Sequence, residues 1–214
     1  MRRTGGGVVA ERGPVRLAVL VSGNGTNLQA IMDHIASGEI NATIVCVVSN
    51  RQDAFALERA EKHGIPAIAL ESGAYANRRE YDAALVEILR NHGAQLVVLA
   101  GFMRILTDVM VTAYPHAIMN IHPALLPAFP GLHAQKQALD HGVRFAGCTV
   151  HFVDCGTDTG PIILQAVVPV REDDTEESLS ARIQHEEHRI YPEAVRLFCA
   201  GKICVDGRRV RLSP

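Results

Sequence analysis

The sequence predicts an α/β protein: a mostly parallel, twisted sheet flanked by helices, with an antiparallel extension in the C-terminal half. Short apolar runs alternate with amphipathic helical stretches through the first part of the chain, the pattern of βαβ units around strands buried on both faces. Two longer apolar runs then succeed one another with no helix between them, which fits an antiparallel pair added to that sheet. The 214 residues, 48% of them hydrophobic, suffice to bury one core of this kind.

Taken in order, residues 1–15 read as a loosely ordered leader. It holds Arg2, Arg3 and the run Gly5 to Gly7 but lacks the apolar centre of a secretory signal. Strands are expected at Arg16 to Val21, Ile44 to Ser49, Ala67 to Leu70, Leu96 to Ala100 and Ala117 to Ile121. The helices between them fall at Asn27 to Ser37, Asp53 to His63, Asn77 to His92 and Leu106 to Tyr114. Ala146 to Val153 and Ile162 to Val170 form the antiparallel pair. Asp174 followed by Glu177 reads as a capping signal, and Leu179, Ile183, Ile190, Ala194 and Leu197 keep helical spacing up to Gly201. Asp206 and Gly207, between Val205 and Val210, predict a small terminal hairpin.

Composition excludes several classes of function. A net charge of -2 leaves no broad cationic surface for a nucleic-acid polymer. No apolar run approaches the roughly 18 to 20 residues that span a bilayer. Five cysteines form no C-x-x-C pair, which argues against a disulfide framework or zinc ribbon and for the cytoplasm. His185 and His188 flank Glu186 and Glu187 without the H-E-x-x-H order, so no metal site is expected.

Three constellations can carry chemistry. Ser22-Gly23-Asn24-Gly25-Thr26-Asn27 lies between the first strand and first helix, where backbone N–H groups and the helix dipole converge on an anion. Leu28 stands where a dinucleotide fingerprint needs its third glycine and no Gly-Lys-Ser/Thr comes after, so a phosphate monoester fits better; a plain strand-to-helix turn is the bland alternative. Asn120-Ile121-His122-Pro123 ends a buried strand, where open α/β sheets place their ligand crevice. Residues two apart project to one side, so Asn120 and His122 pair a carboxamide donor with an imidazole, as acyl transfer requires. A lone histidine at a strand end is more often structural. Finally, Asp154-Cys155-Gly156-Thr157-Asp158-Thr159-Gly160-Pro161 forms a polar loop whose acids are either solvated turn residues or ligands.

These segments, with Ala100-Gly101-Phe102-Met103-Arg104-Ile105-Leu106 and the continuation Ala124-Leu125-Leu126-Pro127, resemble in order the phosphoribosylglycinamide formyltransferases, from about Arg16 to Gly201. The resemblance implies a Rossmann-like formyltransferase fold in one domain over 16–214. Its phosphate-binding half covers about 16–115, and its catalytic and folate-binding half about 116–214. It implies that Asn120, His122 and Asp158 are catalytic, and that Gly25, Thr26, Asn27, Gln184 and Glu187 hold the ribonucleotide, Glu187 at its glycinamide end. Arg78, Met103, Arg104, Ile105, Leu106, Asn120, Asp154, Cys155, Gly156, Thr157 and Asp158 correspond to the folate pocket. Cys155-Gly156-Thr157 departs from the more acidic stretch of some relatives.

The activity implied by the resemblance is transfer of the formyl group of 10-formyltetrahydrofolate to the amine of 5-phosphoribosylglycinamide, a step of purine biosynthesis. It needs no metal, nucleic acid or membrane, and it allows a homodimer. An oxyanion would be met by Asn120 and a protonated His122, with Asp158 favouring the charged ring. Formyltetrahydrofolate hydrolases share the Asn-x-His arrangement but usually add an amino-terminal regulatory domain. Methionyl-tRNA formyltransferases share Leu-Leu-Pro but add a basic carboxyl-terminal domain. On length both are less expected, and a silent binding module would not need the Asn120, His122 and Asp158 set.

Overall fold

β1 (Val15–Val21), β2 (Ala42–Ser49), β3 (Ala67–Ala69), β4 (Leu96–Leu99) and β5 (Ile118–His122) are parallel, joined through α1 (Thr26–Ala36), α2 (Phe55–Lys62), α3 (Arg78–Asn91) and α4 (Asp108–Ala113). β6 (Phe145–Phe152) and β7 (Ile162–Pro169) add the expected antiparallel pair, giving the order β3-β2-β1-β4-β5-β6-β7. The structure is a computed structural model and describes residues 13–213. Residues 1–12 of the expected leader lie outside the described residues, and Val15 already belongs to β1.

β1 lies inside the sheet between β2 and β4, and its alternation feeds a core on each face. Leu17, Val19 and Val21 join the cluster containing Leu28 and Ile31 of α1 and Ile183, Ile190 and Tyr191 of α6 (Glu176–Cys199). Ala18 and Leu20 join Tyr81, Leu85 and Leu89 of α3 on the other side. A fully buried chain such as Leu17 or Ile31 contributes about 1.5–3 kcal/mol, which fixes the direction in which every strand end points. From β1 the order runs one way to β2 and β3 and the other way to β4 and β5, so a crevice opens where the loops after β1 and β4 part.

Local chemistry corrects the expected boundaries. Thr175 caps α6 in a reciprocal box with Ser178, instead of Asp174 with Glu177. Asp174 is drawn away by Arg182, whose guanidinium holds that carboxyl well below its usual range. α4 starts at Asp108, not Leu106, because Leu106 is buried in an irregular segment and Thr107 takes the cap position. A short 3-10 turn at Ser72–Ala74 and the helix α5 (Ala134–Asp140) have no counterpart among the expected elements. Only Ala134 and Ala138 of α5 are buried, too little apolar stripe to read as a period. The terminal hairpin is present as β8 (Ile203–Asp206) and β9 (Arg209–Leu212), but Asp206 pairs with Arg209, so Gly207 and Arg208 make the turn.

Candidate active site

A cavity of about 570 Å³ opens at the carboxyl ends of β4 and β5. One wall is the irregular segment from Gly101 to Leu106, another is Asp154 with Gly156 to Asp158, and Asn120 and His122 lie at its floor. The alternation of β5 works as expected: Asn120 and His122 line the cavity together, His122 only 5% exposed.

Asp158 is the point where these side chains meet. Its Oδ2 lies 3.4 Å from Nδ1 of His122, and the Asn120 amide donates to its Oδ1 at 3.5 Å. The Gly131 N–H donates to Oδ2 at 2.8 Å. Asp158 reaches this position with φ of 54°, a left-handed conformation that Asp tolerates better than most residues. His122 Nε2 stands 2.8 Å from the Phe129 carbonyl. Both ring nitrogens therefore face oxygen acceptors.

His151, on β6 directly opposite Asn120, is a member of the site that the sequence reading missed. It is 2% exposed, its Nδ1 lies 2.9 Å from the Phe152 carbonyl, and its Nε2 lies 3.2 Å from the Asn120 amide nitrogen. Burial pushes the pKa of His151 below its ordinary value, so the neutral ring donates from Nδ1 and accepts the Asn120 N–H at Nε2. A histidine in the buried run from Cys148 to Phe152, whose one other polar residue is Thr149, was the available signal. Leu132, His133, Gln135 and Glu176 also line the cavity without having been expected there.

Of the expected folate residues, Met103 to Leu106, Asn120, Asp154 and Gly156 to Asp158 line this cavity, while Arg78 and Cys155 do not. Arg78 opens α3 on the surface. Met103 and Ile105 leave large apolar surfaces open, 67% and 55% exposed.

The five expected ribonucleotide residues form a neighbouring cluster. Gly25 caps α1 at φ of 75°, and a Cβ there would stand 2.6 Å from that of Ala56, so only glycine fits. Gln184 donates to the Thr26 hydroxyl at 3.1 Å and the Asn27 amide to Glu187 Oε2 at 2.9 Å. Burial raises the pKa of the Glu187 carboxyl, against the opposing pull of Asn27 and His122. Asn27 Oδ1 is buried without a partner. A buried carboxylate beside an orphaned carbonyl makes a pair of acceptors that suits a hydrogen-bond donor, while the backbone of the loop presents N–H groups to an anion. Among the described residues no group of three or more His, Cys, Asp or Glu side chains is spaced to hold a metal ion.

Residues 15–195 match the family model described as formyl transferase. The chain is 46% identical over 189 residues to the phosphoribosylglycinamide formyltransferase of Escherichia coli, across 88% of this chain and 89% of that one. The solved glycinamide ribonucleotide transformylase 1 of Symbiobacterium toebii superposes with a TM-score of 0.94 at 54% identity, covering 99% of this chain and 100% of that one. A formyltetrahydrofolate deformylase of Pseudomonas syringae superposes with a TM-score of 0.88 at 28% identity, over 94% of this chain and 66% of the other.

Proposed function

The chain belongs to the formyl transferase family, and we infer from that premise that it transfers the formyl group of 10-formyltetrahydrofolate to the amine of 5-phosphoribosylglycinamide. The products are the N-formyl ribonucleotide and tetrahydrofolate, in purine biosynthesis. The observation that carries the mechanistic reading is the meeting of Asn120, His122 and Asp158 in one cavity with the open apolar wall.

In this reading the loop at Gly25 to Asn27 takes the ribonucleotide phosphate, with Gln184 and Glu187 on the rest of that substrate and Glu187 at the glycinamide end. The walls Met103 to Leu106 and Asp154 to Asp158 take the folate, with Arg78 and Cys155 at its margin. The first half of a single domain over 16–214 thus supplies the phosphate loop, and the second half supplies the catalytic groups and most of the folate contacts. A cytoplasmic location and a homodimer accompany the reading. Among the described residues no helix is long and apolar enough to cross a membrane.

The substrate amine adds to the formyl carbon, and negative charge develops on the formyl oxygen. Asn120 and His122 donate to that oxygen by giving up their longest contacts, at 3.5 and 3.4 Å, both made to Asp158. Both donors already stand in the site, so the charge is met by an exchange of partner and not by groups brought in from elsewhere. Asp158 stays beside His122 and balances its positive charge. His122 gives its proton to the folate nitrogen as the carbon–nitrogen bond to folate breaks, and takes the proton lost by the amine in its place. Atoms balance with no further reactant.

The test is release of tetrahydrofolate from 10-formyltetrahydrofolate with and without the ribonucleotide. Release that depends on the ribonucleotide supports transfer; equal release in its absence means that water is the acceptor and overturns the transfer reading.

A further inference from the structure

The wall from Gly101 to Leu106 has no strand or helix of its own, so its shape must come from tethers outside it. Its first end is held by Ser22, whose N–H donates to the Gly101 carbonyl at 3.1 Å and whose hydroxyl accepts the Met103 N–H at 2.8 Å. At the far end stands Asp82 of α3, a carboxylate only 2% exposed. Its Oδ2 accepts the Thr107 N–H at 2.6 Å and the Thr107 hydroxyl at 2.7 Å. Next to Asp82, the Tyr81 ring lies 4.2 Å from the Arg104 guanidinium, a cation–π contact that aims this wall residue. Arg79 pairs with Asp108 one residue beyond Thr107. Neighbouring residues of one helix therefore grip the wall from behind, and none of Arg79, Tyr81 and Asp82 lines the cavity.

We propose that Asp82 is the positioning residue of the formyl-donor wall: by fixing Thr107 it sets where Met103 to Leu106 stand, and so governs donor binding without touching either substrate. The proposal rests on the reading of Met103 to Leu106 as the folate wall. Asp82 does not line the cavity that holds Asn120, His122 and Asp158, so its removal moves donor KM and spares turnover. A purely structural role behaves differently. It lowers the folded fraction, which reduces the apparent kcat and leaves both KM values alone.

The experiment measures kcat and the KM of each substrate for Asp82→Ala, Asp82→Asn, Thr107→Val and Ile105→Ala. Loss of both hydrogen bonds in Asp82→Ala is expected to raise donor KM about tenfold or more, with ribonucleotide KM and kcat within about twofold. Asp82→Asn keeps an acceptor oxygen for Thr107 and is expected to restore most of the donor affinity. Thr107→Val removes one donor at constant volume and is expected to raise donor KM about threefold; it decides the matter should Asp82→Ala fail to fold. The Thr107 side chain makes no capping hydrogen bond to α4, so this variant leaves the helix end intact. Ile105→Ala separates the two levels of argument. Unchanged donor KM in Ile105→Ala removes the folate wall and the proposal with it. A raised value there, beside unchanged values in Asp82→Ala and Thr107→Val, overturns the role of Asp82 alone.

Discussion

The cluster proposed as catalytic and the cluster proposed to hold the ribonucleotide are neighbours built on opposite principles. Around Asp158 the described polar side chains answer one another: Asn120 to His151 and Asp158, His122 to Phe129 and Asp158, Asp158 to Gly131. Around Asn27 the account is left open, with one orphaned carbonyl and a carboxylate that burial makes reluctant to ionise. A satisfied network is rigid and pre-aimed. An unsatisfied one stores free energy that a ligand releases on binding. The first arrangement suits a part that must meet a transition state, and the second a part that must attract a substrate.

That contrast is broken most directly at the catalytic cluster. His122→Ala and Asp158→Asn are each expected to lower kcat by about 100- to 10000-fold, with ribonucleotide KM within about threefold of wild type. Asn tolerates the left-handed backbone at 158, so Asp158→Asn tests the charge and not the turn. Steady-state kinetics with both substrates decides it. Turnover near wild type in either variant would remove the assigned roles, and a large rise in ribonucleotide KM would dissolve the division between the clusters.

Glu187→Gln sharpens the other side. Loss of a charged hydrogen-bond partner is expected to raise ribonucleotide KM by about 10- to 100-fold. The same change is expected to stabilise the unliganded protein. A carboxyl whose folded pKa lies above its ordinary 4.5 binds its proton more tightly folded than unfolded. Its contribution is therefore full below 4.5 and is lost as pH rises through the folded pKa. The Tm of Glu187→Gln should thus exceed that of wild type at pH 7.5 and draw level with it near pH 4. A variant that binds less and melts lower at pH 7.5 contradicts the picture of stored strain.

The sequence made some of this legible for reasons that are local. Strand alternation puts Asn120 beside His122, and a glycine-rich turn opens α1 at Gly25 as expected, because both rules need only neighbouring residues. His151 escaped because its partner is set by the register of β5 against β6, a pairing across 31 positions. The contacts of Gly131 and Phe129 depend on an irregular loop that no period announces. Asp174 has the sequence context of a cap, yet Arg182, two turns along α6, competes for it. The polar details of this fold are decided by distant partners, and its strands and helices by near ones.

The smallest expected effect tests how far the satisfied network matters. In His151→Gln the amide oxygen takes over as acceptor for Asn120, so the oxyanion donor is loosened and not lost. One imperfect neutral hydrogen bond corresponds to about a 2- to 10-fold fall in kcat, with both KM values held. His151 carries a second signature. Its folded pKa is depressed below the ordinary 6.5, so the folded state binds this proton less readily than the unfolded chain. The stability it contributes is present above 6.5 and is lost as pH falls through the folded value. Wild type should therefore lose Tm between pH 7.5 and 5.5 more steeply than His151→Gln, which has no proton to bind at that position. Parallel melting curves would mean that His151 is as free to ionise as a surface imidazole, and the hydrogen bond it accepts from Asn120 could not then be the one that holds the amide in place.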